Sequence, residues 1–129
     1  MACILVADDD KTIRSRLRQM LERHGYDVVE AGNGNEVLQV LEVREVDLLV
    51  LDIVMPEKDG LETLIELGRR RIEVPVIAMS GSTSAPMDFL KMARKFGARE
   101  ILYKPFKEAE LIVHVANTLM QDEKRRPAS

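Results

Sequence analysis

Cysteine is almost missing from this chain. Cys3 stands alone, so no internal disulfide can form, and the composition suits a reducing compartment. Tryptophan is absent and aromatic residues make up only 4%, which leaves little platform for stacking nucleobases. There is no basic excess either. Nineteen lysines and arginines face twenty-two aspartates and glutamates, a formal charge of -3 that argues against nucleic acid as the main partner. No apolar run reaches the ~18 residues that a membrane span needs. The opening MACILVADDD has no basic lead and meets acid after a few apolar residues, unlike a secretory signal. A cytoplasmic location without membrane contact is therefore expected. What is present is a globular balance, 46% hydrophobic and 32% charged over 129 residues, enough for one domain with a real core.

Apolar runs alternate with helical patterns. Cys3 to Ala7 is a continuous apolar run, as in a strand buried on both faces. Ile13, Leu17, Met20 and Leu21 follow at helical spacing and the pattern ends near Gly25. Asp27 to Ala31 reads as a second strand. Asn33 with Glu36 forms a capping-box pattern ahead of Val37, Leu38 and Leu41. Val46 to Leu51 is the most apolar strand and belongs at the centre. Asp59, with Glu62 at the third position, caps a helix expected to bury Leu61, Leu64 and Ile65. Pro75 to Met79 is a fourth strand, and the segment from Gly81 to Ser84 is a loop. A helix with Pro86 in its first turn should point Leu90, Ala93 and Phe96 inward. Glu100 to Tyr103 is a fifth strand, and a last helix carries Leu111, Ile112, Val115 and Leu119. We expect one domain over residues 1–121 and a polar, frayed tail over 122–129.

Five strands and five helices in strict alternation predict an α/β fold, a parallel sheet with helices on both faces. The second and fifth strands carry Glu30 and Glu100, charges that suit sheet edges.

In an open parallel sheet, ligands bind beyond the carboxyl ends of the strands. After the first strand come Asp8, Asp9 and Asp10; after the third, Asp52; after the fourth, Ser80; after the fifth, Lys104. Taken singly, each has a bland reading. An acidic triplet is usually a solvated helix cap, and an aspartate or Lys-Pro before a loop is usually a turn. Their joint placement at one end of the sheet favours chemistry. Three carboxylates this close repel one another unless a cation intervenes, and an all-oxygen set suits Mg²⁺, with Mn²⁺ as an alternative. Such a site can accept a phosphoryl group, and aspartate is a known covalent acceptor.

The chain resembles the receiver domain of a two-component response regulator. The stretches that carry the resemblance are ILVADDD from Ile4, LDIVMPEKDG from Leu51, VIAMSG from Val76, and Gly97-Ala98 followed by Lys104-Pro105-Phe106. The resemblance covers residues 2 to 121 and implies a flavodoxin-like (βα)5 three-layer sandwich with strand order 2-1-3-4-5. It implies a bacterial phosphoacceptor switch that is not an enzyme in the usual sense. Asp52 would take the phosphoryl group from a histidine kinase or histidine phosphotransfer protein, and the signal would pass to a downstream protein. Asp8 and Asp9 would hold Mg²⁺ with Asp52 and the Val54 carbonyl. Ser80 would turn toward the phosphoryl group and Lys104 would pair with it. Gly60 would fill a turn that tolerates no side chain, and Lys104-Pro105 would be a cis peptide.

Two departures stand out. Where the family commonly has an aromatic switch residue, three positions before the lysine, this chain has Ile101. Tyr103, on the opposite face from Lys104, is no obvious replacement. Lys107 is a poor N-cap for the last helix. With Ile101 packed, phosphorylation should move Ser80 and the loop through Ser84 more than the last two helices. Val54 and Ser82 flank the expected path of attacking water and cannot orient one well, so slow self-dephosphorylation is expected. His24 should be a C-cap or surface histidine, and His114 could face a partner. A dehalogenase-like phosphatase would need an acid where Val54 stands. A flavodoxin-type carrier would need a phosphate loop where Asp8 to Asp10 stand, and a pseudo-receiver would lack part of the acidic set. A diffusible regulator, a phosphorelay shuttle and a receiver cut from a longer regulator all remain open.

Overall fold

The computed structural model describes residues 1–55, 59–81 and 87–125, with side chains except at 87–90 and 123–125. The expectations for Pro56, Ser82, Ser84, Pro86 and the side chain of Leu90 lie outside the described residues, as does the end of the tail. The elements run β1 (Cys3–Ala7), α1 (Lys11–Arg23), β2 (Asp27–Ala31), α2 (Gly34–Val43), β3 (Leu48–Asp52), α3 (Gly60–Arg69), β4 (Val76–Gly81), α4 (Met87–Lys95), β5 (Ala98–Lys104) and α5 (Glu108–Arg125). The sheet order is β2-β1-β3-β4-β5 and every pairing is parallel, the expected architecture.

Side-chain alternation along the strands builds two cores. Ile4, Val6, Leu48, Val50, Ile77, Met79 and Leu102 face Leu17 and Leu21 of α1 and Leu111 and Val115 of α5. Leu5, Ala7, Leu49, Leu51, Ala78 and Ile101 face α2, α3 and α4. Leu49 is fully shielded, so truncating it to alanine costs about 2–5 kcal/mol. Charged residues on β2 and β5 stay at the edges. Glu30 is held by Arg14 and Arg18, and Glu100 approaches His114 of α5 at 3.4 Å.

The caps are local and legible. Asp10 accepts from the Thr12 and Ile13 N–H groups, Asn33 from Glu36 at 2.9 Å, and Asp59 from Glu62 at 2.8 Å. The capping box of α2 closes one residue early, because Glu36 accepts from Gly32. Before α5, Lys107 lacks a capping oxygen, but its N–H donates to Glu110 three residues on, the other half of that motif. His24 is the C-cap of α1, as expected.

Three expectations need correction. Ile65 is 39% exposed, because α3 turns the stripe Gly60, Leu64 and Leu67 inward. Gly60 sets that rotation: a Cβ there would lie 2.5 Å from the Asp52 carbonyl oxygen, so only glycine lets the helix start this close. Phe96 is 38% exposed, since α4 ends at Lys95 and the chain turns out at Gly97, with φ of 115°. The last helix continues through Arg125, into the stretch expected to fray, and Asp122 on that extra turn accepts from Arg99 at 2.9 Å. Arg99 is the extra residue of a β5 bulge, between the pairs Val76–Ala98 and Ile77–Glu100.

Candidate functional site

Parallel pairing places the carboxyl ends of β1, β3, β4 and β5 side by side. Asp8 and Asp9 follow β1, Asp52 ends β3, Ser80 is the penultimate residue of β4, and Lys104 ends β5. Of the four carboxylates read at the strand ends, the structure brings together Asp8, Asp9 and Asp52, while Asp10 caps α1. Asp8, Asp9 and Asp52 each present an oxygen within 4.8 Å of the others. Asp8 is 1% exposed and Asp52 6%, whereas Asp9 faces solvent.

Lys104 reaches into this group. Its Nζ lies 2.8 Å from Asp8 Oδ2 and 3.3 Å from Asp52 Oδ2. The other oxygen of Asp8 accepts from the Asp10 N–H at 2.9 Å, and the other oxygen of Asp52 from the Val54 N–H at 3.2 Å. Burial pushes the Asp52 carboxyl up to about 6, with the neighbouring Asp8 charge acting in the same direction; Lys104 and the Val54 N–H oppose them. Burial pulls the Lys104 ammonium down, but its bond to Asp8 and the charges of Asp52 and Asp8 outweigh that and raise it. One cation among three carboxylates leaves a formal charge of -2 in ionised form. An all-oxygen set with that deficit fits a hard divalent cation.

Ser80 is buried, and its hydroxyl donates to the Gly81 carbonyl at 3.3 Å, a long bond. In register it sits beside Tyr103, which is 55% exposed, while Ile101 pairs with Ala78 and is buried in the core. Val54 is 41% exposed beside Asp52. The Lys104-Pro105 peptide is cis. Ser82 lies outside the described residues.

One residue close to the site escaped sequence reasoning. Arg14 donates to the Asp8 carbonyl at 2.6 Å and to Glu30 at 3.1 Å. The sequence holds a signal for it, since Arg14 and Arg18 lie four apart on one face of α1, but charge on a helix face ordinarily reads as solvation.

Comparison with known proteins agrees with this geometry. The model of the response regulator receiver domain family matches residues 4–116. The transcriptional regulatory protein PdtaR of Mycobacterium tuberculosis is 36% identical over 110 residues, covering 84% of this chain and 52% of its own length. The DNA-binding transcriptional regulator NtrC of Rhizobium meliloti is 39% identical over 127 residues, covering 98% of this chain and 26% of its own length. Among solved structures, a CheY-like response regulator receiver domain protein from Methanospirillum hungatei superposes with a TM-score of 0.91 at 28% identity, covering 98% of this chain and 99% of that one. A receiver domain from Francisella gives 0.85 at 32% identity, covering 95% and 99%. The chain belongs to the response regulator receiver domain family of two-component systems. It spans about half the length, or less, of the curated relatives it matches. Receiver domains bind Mg²⁺ at an acidic pocket, and Asp8, Asp9 and Asp52 form such a cluster here. Among the described residues, no helix is long and apolar enough to cross a membrane.

Proposed function

We propose that the chain is a phosphoacceptor switch in which Asp52 takes a phosphoryl group from a phosphohistidine on a kinase or phosphotransfer protein. The observation that carries this reading is the placement of Lys104 Nζ, 3.3 Å from Asp52 and 2.8 Å from Asp8, at the carboxyl edge of the sheet. An oxygen of ionised Asp52 attacks phosphorus, the P–N bond breaks, and the imidazole leaves with the bonding pair. Asp8, Asp9 and Asp52, with the carbonyl of Val54, would hold Mg²⁺, which when bound neutralises the acidic cluster and offsets charge on the phosphoryl oxygens. Lys104 supplies a donor for those oxygens from its position beside Asp52. Ser80 exchanges its long bond to Gly81 for a phosphoryl oxygen.

Readout follows from burial. Ile101 is packed in the core and stays there, so the change on phosphorylation centres on Ser80. Val54 offers its N–H to Asp52 but no side-chain group to an attacking water, which favours a long-lived phosphoryl group. The signal passes by altered contacts with a protein partner in the cytoplasm.

The test is transfer of label from a panel of phosphorylated histidine kinases. At least one kinase should label the wild-type chain and leave Asp52→Asn unlabelled. Equal labelling of the two would remove Asp52 as the acceptor.

A further inference from the structure

Arg14 spends its guanidinium inside the molecule. Nη1 donates to the main-chain carbonyl of Asp8 at 2.6 Å, and Nε donates to Glu30 Oε1 at 3.1 Å. The second oxygen of Glu30 accepts from Arg18 Nε at 2.7 Å, one turn further along α1. A Cβ on Gly32 would meet Arg14 Nη1 at 3.4 Å, so the guanidinium also lies against the turn after β2. The Arg14 side chain is 17% exposed and Glu30 27%, which makes this pair far more enclosed than an ordinary surface bridge.

The carbonyl that Arg14 holds belongs to the peptide unit joining Asp8 to Asp9. The same segment is tied on two other sides. The Asp8 N–H donates to the Ala31 carbonyl at 3.2 Å, and the Asp10 N–H donates to Asp8 Oδ1 at 2.9 Å. Arg14 closes the third side and fixes the plane from which the exposed Asp9 projects.

We infer that Arg14, buttressed by Glu30, is a positioning residue that orients the Asp8–Asp9 peptide so that both carboxylates converge on Asp52 and bind a divalent cation tightly. The inference rests on the reading of that cluster as a Mg²⁺ site. Two effects of Arg14 oppose each other, and their signs differ. As a nearby positive charge it repels a divalent cation, so on Coulomb grounds its removal tightens binding. As a brace it preorganises the ligands, so its removal weakens binding. Glu30 accepts a hydrogen bond from Arg14 and offsets much of its charge, which leaves the brace dominant.

The experiment is calorimetric titration of Mg²⁺ into the metal-free chain, for wild type, Arg14→Gln, Arg14→Lys and Glu30→Gln, with the melting temperature of each metal-free protein recorded alongside. Loss of an outer partner of a metal ligand costs on the order of 10-fold in affinity, and that weakening is expected for Arg14→Gln. Arg14→Lys should fail to restore it, because Arg14 meets Glu30 and the Asp8 carbonyl from two separate nitrogens, Nε and Nη1, and one ammonium cannot occupy both positions. Glu30→Gln should weaken binding less. Arg18→Gln, which leaves the Arg14 bond to Asp8 in place, should bind near the wild-type value. Binding by Arg14→Gln that equals or exceeds wild type, or full rescue by lysine, overturns the inference. Should Arg14→Gln not fold, Arg14→Lys and Glu30→Gln carry the same decision. A wild-type chain that takes no Mg²⁺ overturns the underlying reading and this inference with it, whereas wild-type binding that no variant alters overturns this inference alone.

Discussion

Two clusters in this molecule are made from the same chemistry, cations paired with carboxylates, and differ in burial. In one, Lys104 lies between Asp8 and Asp52, side chains that are 20%, 1% and 9% exposed. In the other, Arg23 and His24 at the end of α1 bind Glu108 at the start of α5, at 57%, 42% and 32% exposure. In the exposed cluster, hydrogen bonding governs. The bond from Arg23 lowers the Glu108 carboxyl and raises Arg23 in return. In the buried cluster, desolvation governs Asp52, which is pushed up to about 6 despite a lysine within reach. An exposed cluster relieves its charge and serves as a modest tie between helices. A buried one, short of cations, holds charge that a ligand must resolve.

Breaking the buried cluster should have the larger effects. Lys104→Met removes its one lysine. Phosphoryl uptake should fall by roughly 100-fold or more, the usual loss when a donor to a reacting oxygen is deleted. Mg²⁺ should bind more tightly, since a competing cation has gone. Initial rates of label transfer and calorimetry check the two halves, and wild-type uptake would show that Lys104 is only structural.

Next in size is Gly60→Ala. Its Cβ would press on the backbone of Asp52 and Ile53 at 2.5 and 2.6 Å. Overpacking against main chain should cost about 1–3 kcal/mol, seen as a lower urea midpoint. An unchanged midpoint would mean that α3 can back away from β3 freely.

The titration of Asp52 gives a smaller, signed effect. Its folded value is raised, so its contribution to stability is present in full below the ordinary carboxyl value near 3.8 and is lost as pH rises through about 6. Metal-free protein should therefore lose stability across that window, an effect isolated by subtracting the profile of Asp52→Asn. Mg²⁺ affinity should rise over the same range. Identical stability profiles for the two proteins would contradict the buried-charge account.

The smallest effect belongs to the exposed cluster. Glu108→Gln should lower the melting temperature only slightly and leave phosphoryl uptake at its wild-type value, because solvent already screens these groups. A marked fall in melting temperature would erase the contrast between the clusters.

Much of the fold was legible because burial writes a period into the sequence. Continuous apolar runs such as Leu48 to Leu51 marked central strands, and Glu30 and Glu100 marked edges. The site was legible because parallel strands deliver their terminal residues to one edge, so Asp8, Asp52, Ser80 and Lys104 could be read off strand ends. Other features depend on contacts that no local pattern encodes. Ile65 fits a helical stripe as well as Leu64 does, and only the approach of Gly60 to β3 decides between them. The extra turn of α5 has a polar composition that reads as tail, yet Asp122 there meets Arg99 across the β5 bulge. Arg14 looked like solvated charge because its partners, the Asp8 carbonyl and Glu30, come together only in three dimensions.

The central claim is that the buried carboxylate cluster receives a phosphoryl group on Asp52 once its charge is compensated. Incubation of the chain with a small phosphodonor, followed by intact-mass measurement, tests it most directly. With Mg²⁺ present, the wild-type chain should gain the mass of one phosphoryl group; with EDTA in place of Mg²⁺, or in Asp52→Asn, it should gain none. An equal gain in either control would contradict the account.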